Sequence, residues 1–180
     1  MKVAILCAAR KTVYRTMPDL DIYDIDRDVR TFAGGMPIVA HPPCRSWSAY
    51  FAHQAKPLPG EKELGPLCVD WLRKCGGVLE HPAHSRLWDH CGLPLPGERE
   101  RDGVWSLAID QAWFGDSRRK RTWLLFSHVE PMTYPLILRE SKGDREAWNK
   151  LSKGRRSETK PAFADWLVAV ARSAKTADSP

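Results

Sequence analysis

The chain contains no apolar run of the roughly 18 residues that a bilayer-spanning helix needs, so a membrane-embedded protein is not expected. It contains no Cys-x-x-Cys pair. Its five cysteines, Cys7, Cys44, Cys68, Cys75 and Cys91, are odd in number and widely spaced. Neither a disulfide framework nor a standard zinc finger fits that arrangement. The opening MKVAILCAAR has one lysine and a short apolar run, and it reads as a first strand rather than a cleavable leader. A reducing cytoplasm is the expected compartment. No internal repeat and no low-complexity tract is present, which excludes solenoids and arrays.

What is present is the composition of one globular domain: 180 residues, 43% hydrophobic and 28% charged. Eight tryptophans and fourteen prolines argue against disorder and against a simple helix bundle. The net charge is +6, and it is uneven. Arg118, Arg119, Lys120 and Arg121 are four cations in a row, and residues 139–160 carry eight cations against four acids. The rest of the chain is slightly acidic. A localised basic surface suggests a phosphate-bearing partner, although a solvated face has the same composition.

Lys2–Ala8 is β-prone and apolar, Leu20–Ile25 alternates, and Pro37–Ala40 is a third strand closing on His41-Pro42-Pro43. Glu61–Cys75 is predicted as a helix, with Leu64, Leu67, Cys68, Trp71, Leu72 and Cys75 forming a stripe that stops at Gly76-Gly77. Val78-Leu79-Glu80 is a strand ending at His81-Pro82, and Thr122–Phe126 is another. The stretch His84 to Arg101 reads as loop, and Trp105 to Trp113 is ambiguous. Pro161–Arg172 is the second helix, with proline suited to its first turn. Strands alternating with helices predict an α/β domain with a largely parallel sheet. Its ligands would sit beyond the carboxyl ends of the strands.

The two proline-marked strand exits carry the residues of interest. Cys44 follows Pro42-Pro43, where rigid backbone would hold a thiol in place and Arg45 would favour its thiolate. Glu80 ends the next strand, where a carboxylate can bind a hydrogen-bond partner or donate a proton. Arg119 and Arg121 alternate ahead of the Thr122 strand, so their side chains would face one way and suit a phosphate or a base carbonyl. Each taken alone has a structural reading: a buried cysteine, a solvated strand-end acid, a basic strand edge.

Their order changes the weighing. Val39-Ala40-His41-Pro42-Pro43-Cys44-Arg45-Ser46-Trp47-Ser48, then Gly77-Val78-Leu79-Glu80-His81-Pro82, then Trp113-Phe114-Gly115-Asp116-Ser117-Arg118-Arg119-Lys120-Arg121-Thr122-Trp123-Leu124 resembles the cytosine-5 DNA methyltransferases. Those enzymes have a Pro-Cys loop, a strand ending in Glu, and a Phe-Gly and Arg-x-Arg segment in that order. Thr159 to Leu167 is similar to their final, proline-led helix. The resemblance implies a single Rossmann-like methyltransferase-type domain over residues 1–172, with 127–158 as a short basic excursion and 173–180 as a tail. It implies Cys44 as the nucleophile toward carbon 6 of a pyrimidine, Glu80 as the partner of ring N3, and Arg119 and Arg121 as a clamp. Pro43, Ser46, Trp47, Ser48 and His81 would line the substrate, with Trp47 stacking on the base. The implied donor is S-adenosylmethionine, held near Ala8 with Asp24 or Asp26 on its ribose.

The chain departs from that family in three ways. Leu6-Cys7-Ala8-Ala9-Arg10 stands where the family has a glycine-rich cofactor loop. One strand–helix unit is missing before the Pro-Pro-Cys loop. No full recognition domain follows the Arg-x-Arg strand. The chain thus resembles a trimmed, phage-type relative acting in a bacterial host. It would act on DNA or a pyrimidine nucleotide, with a protein partner as one source of target recognition. Two alternatives stay open: a pyrimidine-modifying enzyme with another donor or none, and a non-catalytic nucleic-acid binder. A structural zinc held among His41, Cys44, His53, Cys68, Cys75, His81, His84, His90 and Cys91 is a further alternative.

Overall fold

A computed structural model describes residues 1–49, 52–100, 102–116, 119–131 and 158–175. Six strands form one sheet: β1 Val3–Leu6, β2 Leu20–Ile22, β3 Ile38–Ala40, β4 Gly77–Pro82, β5 Trp105–Asp110 and β6 Arg121–Ser127. Their order is β2-β1-β3-β4-β6-β5. The first four run parallel, and β6 is antiparallel to both of its neighbours. The sheet is therefore mixed and mostly parallel, as the alternation of elements predicts. The strand order changes direction between β1 and β3, the place where such sheets open a crevice at their carboxyl ends.

Three helices cover the sheet: α1 Leu64–Cys75, α2 Arg86–Cys91 and α3 Pro161–Arg172. Residue parity in the strands sorts the core into two layers. Val3, Ile5, Val39, Val78, Leu124 and Phe126 pack with Phe163, Leu167 and Val170 of α3. Ala4, Leu6, Ile38, Leu79 and Leu125 pack with Cys68 and Leu72 of α1 and Leu87 and Trp88 of α2. Each fully buried Leu, Ile or Phe of this kind contributes about 2–3 kcal/mol of transfer free energy.

Helix α1 begins three residues later than its periodicity suggests. The Glu61 carboxylate accepts from the Leu58 amide at 2.9 Å and pairs with Arg45 Nε at 2.7 Å. Glu61 thus ties down the preceding loop instead of opening the helix. Helix α2 lies inside the stretch read as loop. It is six residues long, its Ser85 side chain accepts from the Leu87 amide, and Gly92 in the left-handed region ends it. The ambiguous Trp105–Trp113 stretch resolves into β5 followed by a 3-10 turn at Gln111–Phe114.

Between α1 and β4 the chain must turn within two glycines. Gly77 has φ +118°, and a Cβ there would stand 2.0 Å from the carbonyl oxygen of Ile38 on the paired strand. Glycine alone permits this register.

No helix among the described residues is long and apolar enough to cross a membrane. The basic excursion falls outside the described residues from 132 to 157, as does the tail from 176.

Candidate functional site

The site is built where β3 and β4 end. Val39 and Val78 lie in the α3-side layer, so parity places His41 and Glu80 on the same side. Their rings and oxygens meet: His41 Nδ1 lies 3.1 Å from Glu80 Oε2. A carboxylate only accepts, so Nδ1 is the protonated nitrogen of His41. The other ring nitrogen, Nε2, is 2.8 Å from the hydroxyl of Tyr14, a fully buried residue in a 3-10 turn after β1. On its far side Glu80 Oε1 accepts from Gln111 Nε2 at 3.0 Å and from Thr122 Oγ1 at 3.4 Å. Gln111 also donates to Thr122 Oγ1 at 2.9 Å.

Three donors on one buried carboxyl define a carboxylate. Burial by itself would push Glu80 up. Lys120, the hydrogen bond and charge of His41, and His81 overturn that and bring it down to about 2.

Lys120, rather than Arg119 or Arg121, is the cation that faces this carboxylate. The pairing of Glu80 with Leu124 sets the parity: Thr122 and Lys120 lie on the Glu80 face, and Arg119 and Arg121 on the other. The Lys120 backbone is fixed at both ends. Its amide donates to Asp110 Oδ1 at 3.0 Å and its carbonyl accepts from the Gln111 amide at 3.0 Å. Arg119 is exposed, with Nε 3.5 Å from Asp110 Oδ2, and Arg121 is exposed at the start of β6. The two arginines form an outer cationic rim on the face away from Glu80. Ser117 and Arg118 fall outside the described residues.

Cys44 caps a 3-10 turn at Arg45–Trp47 and is exposed. The surrounding protein still strips enough water from its sulfur to raise the thiol pKa, and the charge of Glu80 adds to the rise; Lys120 and Arg45 pull weakly the other way. Arg45 was expected to favour the thiolate, but its guanidinium is engaged by Glu61 and, at 3.4 Å, by the Lys56 carbonyl. At rest the Cys44 side chain is a thiol.

The remaining residues divide. Pro43 is half-buried beside Cys44, and Ser48 is half-buried with its polar contacts satisfied. Trp47 is only 3% exposed and packs against Gly65 of α1 and His90 of α2, so it is core and offers no face for stacking on a base. Ser46 Oγ and Trp47 Nε1 are buried with no hydrogen-bond partner among the described residues. His81 is 1% exposed and lies on the α1 and α2 side, its ring 6.4 Å from that of Trp88. Adjacent strand residues point to opposite faces, so His81 does not orient Glu80. Neither of its ring nitrogens makes a well-formed hydrogen bond among the described residues; the backbone of Pro42 and Pro43 opposes the effect of burial only in part, and its pKa is lowered to about 4.

At the ends of β1 and β2 the cofactor residues are already engaged. The Ala8 amide donates to the Tyr23 carbonyl at 2.9 Å. Asp24 is buried, pairs with Arg15, and accepts the amides of Asp26 and Arg27 at 2.9 and 3.1 Å. Asp26 pairs with Arg10. No group of three or more His, Cys, Asp or Glu among the described residues could hold a metal ion.

Tyr14, Gln111, Lys120 and Thr122 were not singled out as site residues in the sequence, and His41 only as a candidate zinc ligand. Strand parity puts Lys120 and Thr122 on one face, but only the β4–β6 register turns that face to Glu80. Only the β5–β6 pairing brings in Gln111.

Comparison with protein-family models gives no match, and comparison with curated proteins and with solved structures gives none either.

Proposed function

We propose that this chain acts on a pyrimidine base by thiol addition from Cys44, in the manner of the cytosine-5 DNA methyltransferases that its sequence resembles. One observation carries the reading. A carboxylate fixed by His41, Gln111 and Thr122 at the exit of β4 shares its electrostatic field with the Cys44 thiol and the Lys120 ammonium.

In this chemistry the sulfur bonds to carbon 6, and the negative charge generated runs to ring N3. In this reading Glu80 partners ring N3 as that nitrogen gains its proton, and Lys120 offsets the charge that develops. Arg119 and Arg121 on the rim suit the flanking phosphates. A base within duplex DNA would have to leave the stack to reach Cys44.

Methyl transfer from S-adenosylmethionine is the reaction the resemblance implies. Asp24 does not fit as its holder, because its carboxylate is buried and taken up by Arg15 and by the amides of Asp26 and Arg27; Asp26 is exposed in a pair with Arg10, and the Ala8 amide is engaged by Tyr23. That favours the second reading, addition chemistry with another donor or none. Calorimetric titration with S-adenosylmethionine is therefore expected to show no binding up to millimolar ligand. A micromolar dissociation constant would restore methyl transfer.

The addition step is testable without any donor. While sulfur is bonded to carbon 6, carbon 5 becomes nucleophilic and takes up deuterium from D2O, which stays when the thiol leaves. Exchange at carbon 5 of a cytosine-bearing oligonucleotide or of deoxycytidine monophosphate, read by mass spectrometry, is expected with the native chain. It is expected to fall about a thousandfold or more in Cys44→Ala. Because Cys44 is exposed, that variant should fold normally. Undiminished exchange in it would refute the nucleophile, and oligonucleotide binding without exchange in either protein would identify a binding-only role.

A further inference from the structure

The face of the sheet turned away from Glu80 carries side chains for which thiol addition has no use. Strand register sets His81 of β4, Trp123 of β6 and Ala108 of β5 side by side on it. His81 is buried, but Ala108 is exposed, and a methyl group is too small to cover an indole. Trp123 is half-buried as a result. One edge meets Trp88 in the core, with 5.6 Å between ring centroids, and the β5 side is left open. Its indole N–H is neither sealed in nor hydrogen-bonded among the described residues, whereas Trp88 and Trp105 spend theirs on carbonyl oxygens inside the fold.

His84 adds a second ring. It is exposed, stands in the left-handed region at φ +61°, and holds its imidazole 4.9 Å from the Trp123 ring at a tilt of 56°. Its turn is fastened to β6 by the Ala83 amide, which donates to the Arg121 carbonyl at 3.1 Å. The next two residues reach the turn that Cys44 opens: Ser85 Oγ donates to the Trp47 carbonyl at 3.5 Å, and Arg86 Nη2 to the Ala49 carbonyl at 3.2 Å. The two rings and the Cys44 turn therefore border one edge of the sheet.

The charge beside the rings is positive. Arg121 lies two residues before Trp123 and faces the same way. Asp110 is opposite it in the β5–β6 register, but that carboxylate accepts the amides of Ala112 and Lys120 and lies 3.5 Å from Arg119. Arg121 is exposed and in no ion pair among the described residues.

We infer that this surface binds an unpaired stretch of polynucleotide, with a base stacked on Trp123 beside His84 and the adjoining phosphates on Arg121 and Arg119. Rings interleaved with cations suit single strands, whose bases offer their faces. A duplex keeps those faces inside the stack and shows a protein only edges and backbone. An acidic peptide would engage the arginines and leave the rings idle. What happens to a bound base rests on the thiol-addition reading above; the binding itself does not. A base in a single strand needs no extrusion from a duplex to reach Cys44.

Anisotropy of a labelled oligothymidylate reads the binding. The native chain is expected to hold it more tightly than a duplex, and more tightly than an abasic strand of equal length, which offers the same phosphates without bases. Trp123→Leu is expected to weaken oligothymidylate binding about tenfold or more, the loss of one stacked base, and to leave abasic-strand binding unchanged. His84→Gly suits the left-handed backbone, so it tests the surface even where Trp123→Leu fails to fold, and it is expected to weaken the same binding several-fold. Arg121→Gln should lower the slope of log affinity against log salt by roughly 0.7. Oligouridylate run in parallel distinguishes RNA from DNA, and tighter binding of either supports the inference. Equal affinity for base-bearing and abasic strands, tighter binding of the duplex, or native affinity in the folded ring variants would overturn it. Carbon 5 exchange with no preference for single strands would overturn this inference and leave thiol addition standing. Strand binding through Trp123 without exchange would do the reverse.

Discussion

Gly77→Ala is expected to leave the chain largely unfolded. The residue sits at φ +118°, outside the region open to side-chain-bearing residues, and its backbone pairs directly with Ile38. An added Cβ would lie 2.0 Å from the Ile38 carbonyl oxygen and 2.8 Å from its nitrogen. Both atoms are backbone, so no side chain can rotate away. Relief requires β3 and β4 to separate at the centre of the sheet. The cost is about 5 kcal/mol or more, comparable with the whole stability of a domain this size. Gly92→Ala is the control. It too has a positive φ, +60°, but nothing lies within 4 Å of the added carbon. Its cost is about 1 kcal/mol, the ordinary charge for a non-glycine left-handed residue. Urea unfolding followed by circular dichroism separates the two. A cooperative transition near the native midpoint in Gly77→Ala would refute the register assigned to β3 and β4.

Acid should destabilise the protein in two stages, from two neighbouring residues on opposite faces of the sheet. His81 is buried neutral with a pKa lowered to about 4, below its unfolded value of 6.5. The unfolded state binds the proton more readily, so stability falls as pH drops from 6.5 toward 4. Glu80 is buried ionised with a pKa lowered to about 2, below its unfolded value of 4.5. Its contribution is complete above 4.5 and is lost as pH falls toward 2. Each shift corresponds to a loss on the order of 3 kcal/mol. Stability measured by urea titration at pH 7.5, 5.5 and 3.5 should therefore decline at both steps. His81→Leu isolates the upper stage. Its ring nitrogens make no well-formed hydrogen bond among the described residues, only a weak contact with the Pro42 and Pro43 backbone, so the change is expected to be near neutral at pH 7.5 and to remove the decline down to 5.5. An unchanged decline in that variant would place the acid sensitivity elsewhere.

The parts of the fold legible in the sequence were those with a clean period. The buried strands β1, β3 and β6, the α1 and α3 stripes, and the glycine stop before β4 all carry their pattern locally. Helix α2 was hidden because six residues hold less than two turns, too short for a period to declare itself among nearby prolines. Strand β5 was ambiguous because Trp105 and the alternating small residues Ser106 and Ala108 fit either a strand or a helix until β6 pairs with it. In the site, the sequence placed Cys44 and Glu80 at neighbouring strand ends, and the structure brings their fields together. It also put Arg119 and Arg121 on one side, and parity agrees. What the sequence could not say was which side faces Glu80, since that depends on the β4–β6 register, and the register selects Lys120. Trp47 was misjudged because adjacency to Cys44 along the chain says nothing about direction: the 3-10 turn at Arg45–Trp47 rotates the indole down onto Gly65.

The reversal of β6 also gives the molecule a built-in spectroscopic ruler. Thr122 pairs with Pro82, just past Glu80, whereas Ser127 pairs with Gly77 at the opposite edge of the sheet. The five steps between them span roughly 17 Å at strand rise. A fluorophore attached at exposed Glu130, beyond Ser127, would thus stand at the far end from Cys44 and leave the rim of cations uncovered. Energy transfer from a fluorescent pyrimidine analogue to that dye would report where along the sheet a base comes to rest.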